Sequence, residues 1–436
     1  MQGEVFFDPA AKHVYTKDSA GHQKMPVAVA VPRSLLDFQI ALDIARDLKV
    51  PVISRGAGTS LRGQSVGEGL VIDTRRYLHR ILNLDRSAMT VKVEPGISLA
   101  ALNANLATHD LWLAADMPLA EEVTVGGMVG NNAVGYSALR YGDTAKAVKT
   151  MDLILADGTQ ALFGSFGDGG EMVLSNARLN RLIPELFQIA DTLGVKNQAF
   201  GVSSRFSNTA GLVNFAQWLA GAEGTLATMQ SVTLKLARRP AHRLWAAVVF
   251  TDLAQMASQI SAIASLGPTA VVLTQATTKG RASVSIAFDG DDERSLRLAL
   301  RDLEKIVVDL GLVPPVVSVD GAFGEPVSRQ DLCLQDCLIP LPLLMDVVWQ
   351  MDQIFARFGM QSIWRGHVTQ GAFYLRPTLA RTGITPSRLE DIQVAVGEFL
   401  MRFRQQDASA KVAAQIKAAF DPQNLLNPGR TGVLAR

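Results

Sequence analysis

The chain has 436 residues, 48% hydrophobic and 19% charged, with 42 basic against 41 acidic side chains and a formal net charge of +1. That length exceeds what one hydrophobic core supports, so two domains are expected, and the apolar fraction excludes a disordered chain. The balanced charge excludes a general attraction to nucleic acid or to an anionic membrane, which leaves a small molecule or a protein as the partner. Two cysteines, Cys333 and Cys337, exclude a disulfide framework and are too few for an iron–sulfur cluster. The pair reads as small apolar packers, with a redox or metal site as the alternative. Met1 to Lys24 carries charges and a Phe6–Phe7 pair but no long apolar run, so neither a secretory signal nor a membrane anchor is expected. Runs such as Val27–Pro32 and Leu338–Met345 fall well short of the ~20 residues that span a bilayer. A cytoplasmic chain is expected, with peripheral docking at a membrane left open.

Residues 27–32 form a β-rich run, and Ser34 stands as an N-cap before a helix-spaced stretch from Leu35 to Leu42. Pro51–Ser54 reads as a second strand that ends in a glycine-rich turn. Leu70–Asp73 and Met89–Val93 read as two more, and Ser98 caps a helix to about His109. Strand, helix, strand at the start argues for an α/β arrangement. Met151–Ala156 with Asp157-Gly158 is a strand and turn. Around Arg238-Arg239-Pro240 the character changes. From there strands (Trp245–Phe250, Ala270–Thr274, Ala282–Phe288) alternate with amphipathic helices (Leu253–Ser265, Asp291–Leu310, Leu341–Phe358), which predicts a second domain of α+β type.

Three glycine-rich blocks stand out. Arg55-Gly56-Ala57-Gly58-Thr59-Ser60-Leu61-Arg62-Gly63-Gln64 follows a strand, and its glycines free successive N–H groups to converge as an anion nest. Thr59, Ser60 and Gln64 add side-chain donors, and a pyrophosphate suits such a nest. The opening Gly-Ala-Gly does not continue into a Rossmann fingerprint, so no nicotinamide site is indicated. Taken alone, the loop reads equally well as a tight surface turn. The second block runs from Pro118 through Thr124, Val125, Gly126, Gly127, Gly130, Asn131, Asn132, Gly135 and Tyr136 to Ser137. Two adjacent asparagines in a helical stretch compete for backbone partners and call for a separate role. The third is Gly221-Ala222-Glu223-Gly224-Thr225-Leu226.

These blocks, with the closing Phe420-Asp421-Pro422-Gln423-Asn424-Leu425-Leu426-Asn427-Pro428-Gly429, resemble the FAD-linked oxidases of the vanillyl-alcohol-oxidase or PCMH type. That family includes D-lactate dehydrogenases, glycolate oxidase flavin subunits and 2-hydroxyglutarate dehydrogenases, and the resemblance extends to the flavin modules of large bacterial FAD/iron–sulfur dehydrogenases. It implies an α+β fold. A two-part PCMH-type FAD-binding domain would occupy 1–237 and a ferredoxin-like substrate or cap domain 238–415, with 416–436 returning to the FAD domain. Residues 55–61 would cradle the pyrophosphate, and 124–137 would wrap the flavin and ribityl chain. Glu223, Gly224 and Thr225 would lie near the adenine or ribityl side, and Asn427 would approach the isoalloxazine. Members that attach FAD covalently carry a histidine where this chain has Thr59, so non-covalent FAD is expected.

Flavin dehydrogenation of an alcohol needs a base for the hydroxyl proton and, for an acidic substrate, a cation. The matching region is Trp364-Arg365-Gly366-His367-Val368-Thr369-Gln370-Gly371-Ala372-Phe373-Tyr374-Leu375-Arg376-Pro377. The 2-hydroxy-acid enzymes resembled here carry His-x-Gly-Asp-Gly-Asn-Leu-His at this place and a Gly-Glu-His-Gly segment further on. Here only His367 of the two histidines remains, Tyr374 replaces the other, and no Glu-His pair follows between Val394 and Ala419. A metal site is therefore not expected. His367 is expected as base, Tyr374 as hydrogen-bonding partner, and Arg376 as the cation, with Arg365 read as a solvated surface residue. The resulting expectation is an FAD-dependent enzyme that oxidises an alcohol or 2-hydroxy acid and passes electrons to a quinone, a protein acceptor or a separate iron–sulfur subunit. The alternative is a catalytically altered flavin subunit that relays electrons or stabilises a larger complex.

Overall fold

A computed structural model describes residues 2–166, 213–276, 280–319, 336–339, 341–379, 391–392, 394–396, 398–399 and 408–429. Cys333 and Leu400 to Arg402 lie outside them, and the side chains of Cys337, Tyr374 and Arg376 are likewise not described.

Ala28–Val31 buries all four side chains, as a strand covered on both faces does. It pairs in parallel with Leu70–Asp73, which pairs in parallel with Val52–Arg55. The crossover helix is Leu35–Asp47, and Ser34 caps it by accepting the amide of Asp37 at 3.1 Å. Glu4–Phe6 adds an antiparallel edge. A second, wholly antiparallel sheet runs Ile81–Asp85, Thr90–Val93, Ala227–Lys235, Val148–Leu155, Gln160–Phe163. Helices Leu99–Ala107, Val125–Asn131 and Phe215–Leu219 pack on it, capped by Ser98, Thr124 and Asn214. Leu102, Leu106, Met128, Val129 and Phe215 share its core with Val91, Leu153, Val232 and Leu234.

Ala237–Arg238 still pairs with Leu111–Trp112 and Arg239 N donates to Asp110 O at 2.9 Å, so the chain leaves this first unit after residue 239. From His242 it builds a seven-stranded antiparallel sheet. The strand order is Val316–Ser318, His242–Phe250, Ala282–Gly290, Ala270–Ala276, Met360–His367, Ala372–Leu379, Asp336–Leu338. Helices Leu253–Ser265, Glu293–Asp309 and Leu344–Arg357 cover one face, where Met256, Leu303 and Met351 meet Val284, Ile286, Trp364 and Phe373. Side chains alternate along a strand, so with Trp364 on the helix side, Arg365 and His367 fall on the opposite face. That face carries a small apolar cluster of Trp245, Ala270, Val272 and Ala287, against which Tyr136 of the first unit packs.

The last helix, Ala408–Phe420, sends Ile416 and Phe420 into the core of the first unit. At its end the Asp421 carboxylate accepts the amides of Leu425 at 3.0 Å and Leu426 at 2.7 Å. Lys417, 1% exposed, donates to that carboxylate, to the Thr225 carbonyl at 2.6 Å and to the Leu426 carbonyl at 2.7 Å. Val52 then donates to Leu425 O at 2.8 Å and accepts from Asn427 N at 2.7 Å, so residues 425–427 run beside the Val52 strand. Removing one partner of a buried, fully hydrogen-bonded ion pair strands the other. Asp421→Ala should therefore cost about 3–5 kcal/mol, read as a lowered urea midpoint, whereas an unchanged midpoint would remove this knot from the stability of the fold.

Candidate functional site

The glycine-rich loop begins where strand Val52–Arg55 ends. The Arg55 guanidinium is buried and donates to the carbonyls of Lys17 at 2.8 Å, Ser65 at 2.9 Å and Tyr15 at 3.4 Å. A Cβ at Gly58, whose φ is +74°, would lie 2.2 Å from that guanidinium, so loop and arginine fit only with glycine there. Asp18 accepts from Ser60 Oγ at 3.2 Å and Gly63 N at 2.8 Å. The Gln64 side chain accepts from Arg62 N at 2.9 Å and donates to Asn131 Oδ1 at 3.3 Å. Arg55, Ser60 and Gln64 thus engage the protein with their side chains and shape the loop. By contrast, the backbone N–H groups from Gly56 to Leu61 donate to no acceptor among the described residues. Such a row of unspent donors is an anion nest.

Facing it is helix Val125–Asn131. A Cβ at Gly56 would fall 2.1 Å from Thr124 Oγ1, so loop and helix start touch. The helix start is otherwise engaged: Val125 N donates to Ile97 O and Gly126 N to Pro95 O, at 2.9 and 2.7 Å, and Thr124 Oγ1 accepts from Gly127 N at 3.2 Å. Further along, a Cβ at Gly130 would meet nothing within 4 Å, and one at Gly127 only Thr124 Oγ1 of its own turn. Asn132 takes a left-handed cap (φ 47°), donates to Asp143 at 2.9 Å and accepts Ala145 N at 2.8 Å, so the separate role of this asparagine is to join two helices. Gly135 sits so close to the Ala115 carbonyl that no Cβ fits. Pro118, on the same turn-rich stretch, is half-buried.

The third wall is the loop from Gly221 to Leu226, bonded to the helix end through Gly221 N to Val129 O at 2.9 Å and Glu223 N to Gly130 O at 2.8 Å. Thr225 closes its own turn on Ala222 O at 2.6 Å, while Leu226, like Val125, is buried in the core beneath. Glu223 accepts from Arg62 Nη2 at 2.7 Å. Asn427 Nδ2 donates to Gln64 O and Glu223 O, both at 2.8 Å, and so ties the first wall to the third. A Cβ at Gly224 would meet only Ser54, 3.8 Å away, and the buried Ser54 hydroxyl has no partner among the described residues. Together these leave a cleft with backbone donors for a pyrophosphate, open glycine faces for a flat ring system and one orphaned hydroxyl, a donor set that fits FAD. Ser54 was legible through strand alternation with Val52; Asp18, 42 residues from Ser60, left no local signal.

On the second unit, His367 is 3% exposed, and its ring centroid lies 5.8 Å from that of Tyr136, which meets Trp245 edge-on at 6.3 Å. Burial pulls the imidazole down to about 4, so it is neutral at pH 7. Burial, with Asp116 adding to it, pushes the Tyr136 phenol up to about 12. Arg365 shares the His367 face of the strand and acts electrostatically on Tyr136, so it does not sit apart as a surface cation. In the neighbouring strand Tyr374 stands opposite Arg365, and Arg376 opposite Ile363. Among the described residues, no group of three or more His, Cys, Asp or Glu is placed to hold a metal.

Two outcomes follow. Gly130→Val, whose Cβ would meet nothing within 4 Å beyond its own helix, should fold normally yet purify with little flavin; a folded, fully yellow variant would move the cleft elsewhere. Unfolded His367 binds protons below about 6.5 and the folded residue only below about 4, so stability, complete above 6.5, should fall as pH drops through that window. His367→Gln should flatten the change, measured as urea midpoint against pH.

Residues 26–164 match the FAD binding domain family and residues 397–431 the C-terminal domain of FAD linked oxidases. The chain is 23% identical to glycolate oxidase subunit GlcD of Bacillus subtilis, over 99% of this chain and 94% of that protein. It is also 23% identical to D-2-hydroxyglutarate dehydrogenase of Escherichia coli, over 98% of this chain but only 50% of that one. In fold it resembles 4-ethylphenol oxidase from Gulosibacter chungangensis (TM-score 0.71, 14% identity, 98% of this chain and 94% of that one). With an FAD binding domain and, after it, the C-terminal domain of FAD linked oxidases, the chain is an FAD-dependent oxidoreductase.

Proposed function

We propose that the chain oxidises the CH–OH group of a 2-hydroxy acid and passes the electrons to a separate acceptor. The observation that carries this reading is the neutral, buried His367 on the sheet face toward the flavin unit, in contact with Tyr136 from the cofactor segment. The names of the relatives support the substrate class: glycolate oxidase and D-2-hydroxyglutarate dehydrogenase. Bound FAD supplies the hydride acceptor. A neutral imidazole can take the hydroxyl proton as the C–H bond breaks, leaving the 2-oxo acid. Tyr136, protonated throughout the physiological range, can donate a hydrogen bond to the substrate oxygen, a role also open to Tyr374. Arg365, on the His367 face, joins Arg376 as a partner for the carboxylate. Thr59 stands where members that tether the flavin carry a histidine, and this reading therefore has FAD held non-covalently. Two cysteines cannot hold a cluster, which makes a quinone, a protein or a separate iron–sulfur subunit the acceptor.

A second reading, an electron-relaying or assembly subunit, is favoured by the replacement of the second motif histidine by Tyr374 and by the deep burial of His367. Anaerobic titration of the yellow protein with a panel of 2-hydroxy acids decides between them. Bleaching of the flavin bands by one compound is expected; flavin that no compound bleaches would support the relay reading. His367→Ala should retain FAD and slow reduction by roughly 10²-fold, the usual loss for a general base. A chelator should leave the rate unchanged, and restoration of a chelated enzyme by zinc or manganese would restore a metal to the mechanism.

A further inference from the structure

Between the two units lies an ion cluster that none of the cofactor or substrate roles absorbs. Arg243, at the start of the second sheet, donates through Nη1 to Asp116 at 2.6 Å and through Nη2 to Ser137 Oγ at 3.1 Å, both on the flavin unit. Its Nε and Nη2 meet the two carboxylate oxygens of Asp289 on the neighbouring strand, at 2.6 and 2.7 Å. Ser137 Oγ itself donates to Asp116 at 2.8 Å, and Arg140 donates to the Asp289 carbonyl at 3.0 Å. The guanidinium lies 5.2 Å from the ring centroid of Trp112 and 6.0 Å from that of Trp245, one aromatic from each unit. Asp289 is fully buried and Arg243 and Asp116 are about one-fifth to one-quarter exposed, so solvent screening of the cluster is modest.

This cluster brackets the contact that matters for the site. Tyr136 is the residue immediately before Ser137, its amide donates to Asp116 O at 3.0 Å, and its ring packs on Trp245 and His367. Trp245 follows Arg243 by two residues on the same strand, and so on the same face. We propose that Arg243 is a positioning residue: by gripping Asp116, Ser137 and Asp289 together it sets the face of the second sheet against the 133–137 segment and so holds His367 and Tyr136 in register over the flavin cleft. The planar fork is required, because a lysine presents one point charge and cannot meet three acceptors in a plane. Among the described residues Tyr136 packs on the imidazole and Arg365 shares its sheet face, with Tyr374 opposite Arg365 and Arg376 opposite Ile363 on the next strand. The inference rests on the 2-hydroxy acid reading for its kinetic consequence, but not for its structural one.

The test uses full-length holoprotein carrying Arg243→Met, Arg243→Lys or Asp116→Asn, with three readouts: flavin per chain, the rate of anaerobic flavin reduction, and the NMR titration of the His367 imidazole. FAD content should stay within about twofold. The limiting reduction rate should fall about 10²-fold in Arg243→Met, the cost of misplacing reacting groups by about 1 Å, with a smaller change in the half-saturating substrate concentration. Arg243→Lys should recover only part of it. Water entering the loosened contact should move the His367 titration upward from about 4 toward 6.5, a change that a general loss of stability would not produce in the folded protein. Wild-type rates together with an unmoved His367 titration would overturn the proposal, and so would loss of FAD from all three variants, which would make the cluster a cofactor-binding element. If Arg243→Met does not fold, the near-isosteric Asp116→Asn decides by the same criteria. If no 2-hydroxy acid bleaches wild-type flavin, the substrate reading fails while the imidazole titration still decides on Arg243.

Discussion

The side-chain amide of Asn427 is where three distant stretches of the chain are held together. Its two hydrogens go to the carbonyls of Gln64 and Glu223, 363 and 204 residues away in sequence, and its backbone amide goes to Val52. The cleft exists because these walls stand at fixed separation. A buried amide with both donors spent is stable only if both carbonyls stay in place. The Lys417–Asp421 pair supports the same point from behind, binding the Thr225 and Leu426 carbonyls so that the returning segment cannot peel off the Val52 strand. Asn427 takes a left-handed backbone to do this, with φ 40°, and Glu223 does likewise at φ 53°. Strained backbone of this kind persists where the surroundings over-determine it.

A cleft held in this way can leave its donors unspent. Three polar side chains of the glycine-rich loop are spent on the protein: Arg55 on three carbonyls, Ser60 on Asp18, Gln64 on Arg62 and on Asn131 of the facing helix. They hold the loop in a shape whose N–H groups from Gly56 to Leu61 meet no acceptor among the described residues. Asp18 places a carboxylate behind an anion site, which is tolerable because it is saturated by backbone and hydroxyl donors, among them Ala20 N, His22 N and Gly63 N. Preorganised backbone dipoles then need no rearrangement when an anion arrives.

In the proposed function the substrate-facing groups belong to the other unit, so that reading depends on how the two are set together. A seven-stranded sheet covered by helices on one face offers its bare face to the flavin unit, and that face is apolar around Trp245, Val272 and Ala287. An imidazole placed there is kept neutral by desolvation, a condition a general base requires. The same burial limits access to the imidazole, whose ring lies 5.8 Å from that of Tyr136.

Much of this was legible before any fold was known. Ser34 and Ser98 cap the helices they were expected to cap, and Leu253–Ser265 has the bounds its periodicity predicts, because caps and amphipathic spacing are local properties. The glycine-rich blocks were legible for the same reason, and FAD was legible through their joint resemblance to the FAD-linked oxidases. Arg55, Ser60, Gln64 and Asn132, expected at the ligand, spend side-chain hydrogen bonds on the loop and helix joints, since a donor's partner is chosen by neighbours that the linear chain does not reveal. The seven-strand order, the burial of His367 and the Arg243 cluster are of that second kind. The sequence by itself determined the helix caps, the amphipathic spans and the glycine-rich blocks whose resemblance implies FAD; tertiary structure alone decided which polar groups remain free to meet it, because hydrogen-bond satisfaction and desolvation are set by residues far apart in the chain.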